Sequence, residues 1–472
     1  MGYNEFQENG MTEKCRKIRT LFCRQHEVQH KRAAKRRRRG EFTVANSFRG
    51  GMKLSLKNPA ANILSESYEP SKIRLAVPAE YRVAVSVGQR LAEGDILASP
   101  EGEDGAFLLS GISGRVTGLT GKDGAMEITV ENDGVQKRSP DCAPISDSIL
   151  EVPTEQLLAR LRRLGISLPP RGEETPVCLV VNCCEKDPAS SSVTRLIHER
   201  AGELIGGVKI LLKLYGIRRA VCALPRGMYR EASELESRLP NGRMIRVRTV
   251  SDKYPQHIPR LLISSLFNLE INVGRSVEDA GYPVVDASLC EAVFSALAEG
   301  KPATEGRVTL TGNGLAWAVN LRVPYGTEIA ELAENAASVI GAKCVFFGGG
   351  PERRKAPAGA VTGRDTCVLT FLKKEPRVRS YPCIGCGRCT KVCPMGLVPS
   401  LLYEYLVKGS RKGCERFDLM CCISCGCCTA VCPSGIDIRA ALAEGKEELG
   451  KPDEVRKEEN GEGKAAEGEV DE

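Results

Sequence analysis

Aromatic residues are scarce in this sequence, at 5% with a single Trp in 472 residues. That excludes the rows of stacked aromatic side chains on which single-stranded nucleic acids lie. There is no run of about 18 apolar residues. The richest stretch, Leu261 to Ile271, is broken by Ser, Asn and Glu, so no membrane-spanning helix is expected. No basic-then-apolar leader pattern opens the chain, and the sequence reads as intracellular. Charge of one sign is also lacking over most of the length. The formal net charge of +7 is accounted for by residues 1–43, with 12 Lys/Arg against 5 Asp/Glu, and the remainder holds 55 of each sign. A neutral body lacks the basic footprint of a nucleic-acid-binding surface.

Cysteine, by contrast, is abundant. An odd total of 21 in a long chain without a leader disfavours a disulfide framework. Eleven of them fall between Cys383 and Cys432. Cys383, Cys386, Cys389 and Cys393 are spaced C-x2-C-x2-C-x3-C with Pro394 next, and Cys422, Cys425, Cys428 and Cys432 repeat the spacing with Pro433 next. This is the bacterial-type ferredoxin signature for cubane iron–sulfur clusters. Three thiolates two residues apart can wrap one face of a cluster, and the fourth is expected to open the following helix. In two-cluster ferredoxins the fourth Cys serves the other cluster. The expected ligand sets are therefore Cys383, Cys386, Cys389 and Cys432 for one 4Fe–4S cluster, and Cys422, Cys425, Cys428 and Cys393 for the second. Zinc would call for two separated Cys pairs, a poorer match. Cys414, Cys421 and Cys427 are off the pattern and read as loop or core thiols. Residues Leu397 to Leu406 are apolar at helical spacing and would shield the clusters.

Upstream, the pattern changes several times. Residues 1–43 end in the basic run Lys35–Arg39. They read as a disordered arm, as a nucleic-acid or anionic-membrane patch, or as a segment that is not made, with a GTG start at Val44. The intact mass of the native protein distinguishes the last from the others. Residues 77–135 read as short strands (Val83–Val87, Glu93–Leu97, Ser110–Gly118, Met126–Val130) with glycine turns, a small β-barrel or sandwich. The arrangement is similar to biotinyl/lipoyl-type modules, but the turn Gly111-Ile112-Ser113-Gly114 carries no Lys for a prosthetic group. Residues 150–300 alternate strands and helices. Val177–Val181 and Ala220–Leu224 read as buried parallel strands, and Val193 to Leu214 as a helix in which Gly206-Gly207 marks close packing. Cys178, Cys183, Cys184 and Cys222 read as small buried apolar residues. In 305–350, strands Arg307–Thr311 and Ala318–Val323, a helix Thr327–Ser338 capped by Thr327, and strand Cys344–Phe347 suggest a ubiquitin-like β-grasp unit. Gly348-Gly349-Gly350-Pro351 lacks the Lys-Ser/Thr of a phosphate loop and reads as a plain turn. From Ala443 onward the charged, apolar-poor sequence reads as a solvated tail.

The order of these modules resembles RnfC, a component of the Rnf electron transport complex, and its soluble RnfC-like relatives, over about residues 48–445. Phe48-Arg49-Gly50-Gly51 is similar to that family's opening, and Asn182-Cys183-Cys184-Glu185-Lys186-Asp187-Pro188 to its Asn-Gly-Ala-Glu-Cys-Glu-Pro segment. Tyr254-Pro255-Gln256, Gly348–Pro351 and Gly396–Tyr403 match further landmarks. The resemblance implies a multidomain α/β protein: a barrel-sandwich domain (44–140), a flavoprotein-51-like α/β domain akin to complex I (150–300), an SLBB β-grasp domain (301–372), and a ferredoxin-like helical domain with two 4Fe–4S clusters (373–442), followed by the charged tail (443–472). It also implies FMN and NAD(H) as cofactors, and partner redox proteins or Rnf-type membrane subunits as partners, with no nucleic acid and no direct membrane insertion. Any place at the cytoplasmic face of the inner membrane would come through those partners. Two departures speak against nucleotide and flavin binding. Where the family carries a Gly-Gly-Ala-Gly-Phe-Pro-Thr-like loop, this chain reads Arg163-Leu164-Gly165-Ile166-Ser167-Leu168-Pro169-Pro170-Arg171-Gly172, and the glycine loop is absent. The family's Asn-Val-Gly-Thr segment appears as Asp286-Ala287-Ser288-Leu289, which puts a carboxylate where a phosphate would lie. The expected function is one-electron transfer through two clusters to a partner oxidoreductase. The alternatives are an NAD(P)H-oxidising FMN/iron–sulfur subunit of an Rnf-type complex, and a structural adaptor with vestigial domains.

Overall fold

The computed structural model describes residues 47–450 except 54–59, 103–104, 123–124, 147, 240–243, 273, 336–338 and 377–378. The readings of residues 1–43 and of 451–472 lie outside the described residues.

Strand β1 (Ser65–Ser67) is lent to a sheet formed much later in the chain, pairing parallel with Asn320–Arg322 at its edge. The next strands are β2 (Lys72–Val77), β3 (Tyr81–Val83), β4 (Arg90–Leu91), β5 (Ile96–Pro100), β6 (Leu108–Leu109), β7 (Gly114–Lys122) and β8 (Ala125–Asn132). They make two antiparallel sheets, in the orders β2-β8-β7-β4 and β3-β5-β6. Ile73, Leu97, Val116, Ile128 and Val130 are fully buried in the core they share. One expected strand is shifted: Val83–Val87 pairs only at its start, because the chain turns at Ser86–Gln89, where the Gln89 side-chain oxygen accepts from the Ser86 N–H.

Helix α1 (Thr154–Arg163) leads into a parallel sheet of β9 (Leu179–Asn182), β10 (Ala220–Pro225), β11 (Ile245–Val250) and β12 (Val284–Asp286), ordered β11-β10-β9-β12. The intervening helices are α2 (Ser192–Tyr215), α3 (Tyr229–Arg238), α4 (Pro259–Phe267) and α5 (Ala287–Ala298). Alternate strand residues serve opposite faces: Leu179 and Val181 pack with α1, α2 and α5, whereas Cys178 and Val180 pack with α4. Gly207 lets α2 and α5 touch; a Cβ there would stand 1.7 Å from the Cys290 carbonyl oxygen. Cys178, Cys183, Cys184 and Cys222 are all buried.

A six-stranded sheet follows, ordered β1-β14-β13-β17-β15-β16, from β13 (Glu305–Thr311), β14 (Val319–Pro324), β15 (Cys344–Phe347), β16 (Arg354–Lys355) and β17 (Val368–Leu372). Helix α6 (Ile329–Asn335) packs Ile329 and Leu332 against it. This helix starts later than the sequence suggests. The Thr327 hydroxyl donates back to the Pro324 carbonyl at 2.7 Å and the Thr327 N–H donates to the Thr362 hydroxyl at 3.1 Å, so Thr327 closes a turn. Ser191, Thr309 and Asn320 form a buried hydrogen-bonded set that fixes the start of α2 to this sheet.

The C-terminal part is helical: α7 (Arg388–Val392), α8 (Pro399–Val407), α9 (Arg411–Arg416), a 3-10 turn (Leu419–Cys421), α10 (Cys427–Ala430) and α11 (Ile438–Gly450). The last helix overturns the tail reading for residues 443–450. Leu442 is fully buried, and a Cβ on Gly445 would meet Leu406 of α8 at 2.3 Å. One apolar anchor per turn against α8 holds the helix despite its charged outer face. Among the described residues no helix is long and apolar enough to cross a membrane.

Candidate metal centre

The two Cys-rich loops repeat one backbone design. Positive φ recurs at matching positions, Gly385 with Ser424, Gly387 with Gly426, and Gly396 with Gly435. Left-handed turns between successive cysteines curl each loop around a centre, and glycine adopts them without a steric penalty. Ser424 takes the conformation with a side chain, at φ 53°, and its N–H donates to the Cys422 sulfur at 3.4 Å. Short helices α7 and α10 follow, carrying Cys389 and Cys428. The fourth Cys of each motif does not open the next helix. Cys393 stands just past the end of α7 in extended conformation (φ −65°, ψ 117°), and α8 begins six residues later at Pro399. Proline after the Cys blocks helix continuation and sends the chain across the domain.

The thiols of the two motifs differ in burial and in the neighbours that shift them. Burial pushes Cys393 up to about 11, and the nearby Cys425 and Cys422 thiols add to the rise. Burial pushes Cys428 up to about 12, with Cys425, Cys422 and Cys393 contributing. Cys422 is raised by burial and by Cys425. Cys393, from the other motif, is thus close enough to Cys422, Cys425 and Cys428 to share an electrostatic environment with them. Cys427, buried beside them, hydrogen-bonds Cys425, which lowers the Cys425 thiol and raises Cys427. The other set is laid out differently. Cys383 and Cys386 are exposed, Cys389 is buried and Cys432 half-buried. The Tyr381 N–H donates to the Ser434 carbonyl at 2.8 Å, which brings the approach to Cys383 beside the end of the second motif. Among the described residues no three His, Cys, Asp or Glu side chains converge where one ion could sit. A cubane instead gives each thiolate its own iron and spreads the sulfurs around the cluster. A soft, all-thiolate donor set suits iron–sulfur clusters, and thiols held protonated by burial would release protons as iron binds. Cys414 is buried and Cys421 half-buried, both outside these sets.

Residues far away in sequence brace the buried set. The Gly51 N–H donates to the Val392 carbonyl, and a Cβ on Gly50 would stand 2.5 Å from the Cys393 carbonyl oxygen. Lys253 donates to the Phe48 and Gly50 carbonyls and lies 4.0 Å from the centre of the Phe48 ring. The Tyr254 hydroxyl donates to the Cys425 carbonyl at 2.9 Å. Gly426 abuts the Pro351 carbonyl, where a Cβ would lie 2.5 Å away. Phe48–Gly51, Tyr254 and Pro351 are legible in the sequence only as recurrent landmarks; their shared place around Cys393 and Cys425 is not.

A second candidate region lies at the carboxyl ends of β9 and β12, where the strand order reverses and α/β sheets open a ligand crevice. Its anion-binding groups are already engaged. The N-terminus of α2, a natural phosphate site, is filled by Glu185, which accepts from the Val193 and Thr194 N–H groups at 3.0 and 2.9 Å and from the Ser192 and Thr194 hydroxyls. Burial raises the Glu185 carboxyl while these hydrogen bonds pull it back. The Gly349 and Gly350 N–H groups, read as a plain turn, form a small anion cradle and donate to Asp187 at 2.9 and 3.1 Å. Asp286 accepts from Asn182 at 3.3 Å and pairs with Lys186 at 2.9 Å. Burial works to lower Lys186, but Asp286 outweighs it and the ammonium sits above its ordinary value. His257, whose carbonyl accepts from Asn182 at 2.9 Å, is lowered to about 4 by burial and by Lys186, so its ring is neutral at pH 7. Where the missing glycine loop would run, Gly165 packs on Leu109 and Arg171 donates to the Leu214 carbonyl. These residues do not fit a flavin phosphate: the Val193, Thr194, Gly349 and Gly350 N–H groups and the Lys186 ammonium that could hold it are bound to carboxylates of the chain itself.

Comparison with known proteins bears out the resemblance to RnfC-like proteins. Residues 164–295 match the Nuo51 FMN-binding domain and residues 382–436 the 4Fe-4S dicluster domain. The chain is 25% identical over 386 residues to the RnfC-type component of the ion-translocating oxidoreductase complex of Rhodobacter capsulatus, covering 74% of this chain and 73% of that one. It is 29% identical over 395 residues to the component of the same name from Pseudomonas aeruginosa, covering 77% of this chain and 50% of that one. It is 24% identical over 388 residues to the corresponding component of the proton-translocating ferredoxin:NAD(+) oxidoreductase complex of Clostridium ljungdahlii, covering 76% and 84%. Among solved structures, an NAD+-reducing [NiFe]-hydrogenase in the H2-reduced state aligns with TM-score 0.43 at 14% identity, over 66% of this chain and 63% of that one.

Proposed function

We propose that this RnfC-like chain is an iron–sulfur electron-transfer subunit of an Rnf-type oxidoreductase complex, carrying single electrons through two 4Fe–4S clusters. The observation that carries the reading is the match of residues 382–436 to the 4Fe-4S dicluster domain, over two cysteine motifs spaced as in two-cluster ferredoxins. Cys422, Cys425, Cys428 and Cys393 would hold the inner cluster, and Cys383, Cys386, Cys389 and Cys432 the outer one. A cubane takes up and releases one electron at a time. The chain sets the conditions: it buries Cys425 and Cys428 and half-buries Cys393 and Cys422, gives the Cys422 sulfur an N–H donor from Ser424, and fixes the Cys425 loop through Tyr254. Donors to sulfur stabilise the more negative reduced state and so tune potential. We read the two small β modules as a barrel-sandwich (44–140) and an SLBB-type β-grasp (301–372), which fix the α/β module (150–300) against the dicluster module (373–442). Attachment to a membrane would be peripheral, through partner subunits.

The second reading, an NAD(P)H-oxidising FMN subunit, is favoured by the match of residues 164–295 to an FMN-binding domain. The engaged donors of the crevice weigh against it. Protein purified without oxygen and assayed for iron, sulfide and flavin tests both. About eight iron and eight sulfide per chain without flavin is the expected result. One flavin per chain with clusters that bleach on adding NADH supports the second reading. Zinc in place of iron rejects both.

A further inference from the structure

A cavity of about 260 Å³ opens where the antiparallel β sheets, the loop before β9 and the six-stranded sheet meet. Its walls are apolar: Leu75 from β2, Phe107 and Leu108 at β6, and Val361 from the loop before β17. Some polar groups of the lining are already engaged. Arg74 is balanced by Glu328 at 2.9 Å and by Glu127 at 3.4 Å. The Thr362 hydroxyl donates to the Pro324 carbonyl at 3.0 Å. Arg364 and Tyr325 differ. The Arg364 guanidinium lies 5.7 Å from the centre of the Tyr325 ring and donates to the Gly165 carbonyl at 2.7 Å. It pairs with no carboxylate among the described residues, and the Tyr325 hydroxyl has no hydrogen-bond partner among them. Burial raises the Tyr325 phenol above its ordinary value, although the Arg364 charge pulls it back. At pH 7 that hydroxyl is therefore a neutral donor.

We propose that this cavity binds a small, flat, apolar carboxylate, with its acid group held by Arg364 and the Tyr325 hydroxyl and its body against Leu75, Phe107, Leu108 and Val361. Both polar groups left over are donors, so the ligand must present acceptors, and a guanidinium without a counter-ion calls for an anion. A carboxylate matches the planar fork of Arg364. The walls call for an uncharged body, because a second charge against them would lose its water without gaining a partner. Glu328 and Glu127, beside Arg74 in the lining, repel a dianion. The volume lies just below the range of about 300–1,000 Å³ usual for ligand pockets, which suits a ligand smaller than a flavin nucleotide. Glu185, Lys186, Asp187 and Asp286 of the β9/β12 crevice are not part of the lining. The proposal is therefore independent of the electron-transfer reading.

The test titrates the anaerobically purified full chain by calorimetry with 2-naphthoate as the probe. Its neutral counterpart 2-naphthalenemethanol and its more highly charged counterpart 2-naphthyl phosphate are titrated in parallel. Naphthoate should bind with a Kd of about 100 μM or below, and the alcohol and the phosphate about tenfold or more weakly. Arg364→Gln should weaken naphthoate by about tenfold or more, and Tyr325→Phe by about threefold to tenfold, with iron content unchanged. The comparison of the probes needs no variant, so a poorly folding substitution does not stall the test. Naphthoate that binds no tighter than the alcohol, or more weakly than the phosphate, overturns the proposal. So does an Arg364→Gln protein that keeps full affinity, because the probe then sits elsewhere. Iron and sulfide content decide the cluster reading separately, whatever these titrations show.

Discussion

The dicluster module and the crevice at the ends of β9 and β12 are both rich in polar and ionisable side chains, but they use them in opposite ways. In the dicluster module half-buried Cys393 and Cys422 and buried Cys425 and Cys428 come from two motifs and share an electrostatic environment, and soft thiols of this kind suit a metal cofactor that takes them up as thiolates. In the crevice Glu185, Asp187, Asp286 and Lys186 satisfy one another or the backbone, leaving little for a guest to gain. Soft thiols gathered from two motifs suit a metal cofactor. Charged groups already paired with one another offer a guest little, even inside a fold that matches a flavin-binding family.

The largest effect should come from the ligands. Cys393→Ser and Cys432→Ser should each cut iron from about eight to about four per chain and each extinguish a different EPR signal, while Cys414→Ser and Cys421→Ser keep both. Loss of the same signal from the first two would break the crossed assignment. Next come the glycines that hold each region shut. Gly207→Ala drives a methyl into the Cys290 carbonyl and should cost about 3 kcal/mol or more of α/β stability, read by thermal melting. Gly426→Ala combines a backbone clash with Pro351 and φ +71°; it should cost about 1–3 kcal/mol, read as faster cluster loss with the α/β melting step retained.

A pH effect tests the crevice directly. The unfolded His257 titrates near 6.5 and the folded one near 4, so between those values the unfolded chain binds the extra proton. Stability from this group is complete above about pH 6.5 and is lost as pH falls toward 4, by up to about 3 kcal/mol. Melting curves of His257→Asn should show a flatter profile over that window; an unchanged profile removes His257 as the cause. The smallest effect concerns phosphate. FMN added to the anaerobic protein should bind no tighter than about millimolar, near −4 kcal/mol. Asp286→Asn, which frees Lys186, should tighten it by about tenfold at most. Micromolar binding by the unaltered chain, followed by flavin fluorescence, would erase the contrast between the two regions.

Much of the architecture was legible because it rests on local periodicity. The buried runs at Leu179–Asn182 and Ala220–Pro225 and the helix Ser192–Tyr215 lie within a few residues of their expected places. The misses fall where tertiary contacts override local preference. Residues 443–450 carry a charged, apolar-poor sequence, yet α8 supplies a surface that Leu442 and Gly445 fit. Thr327 looks like a helix cap but is drawn into a turn with Pro324 and Thr362. Gly348–Pro351 is a turn by composition and an anion cradle by position, with Asp187 as its anion.

By itself the sequence determined the cofactor chemistry of this protein, because thiolate spacing within a loop is a short-range constraint that a dozen residues encode. It also determined the order of the modules, through the change from alternating to helical periodicity. Only the tertiary structure decided that Phe48–Gly51 and Tyr254 brace the Cys393–Cys425 side, that the β9/β12 crevice is closed by its own carboxylates, and that Tyr325 and Arg364 line one cavity. Those facts depend on contacts between residues up to some two hundred positions or more apart, such as Lys253 with Phe48. Such contacts form only when separate cores pack together, and no local pattern records them.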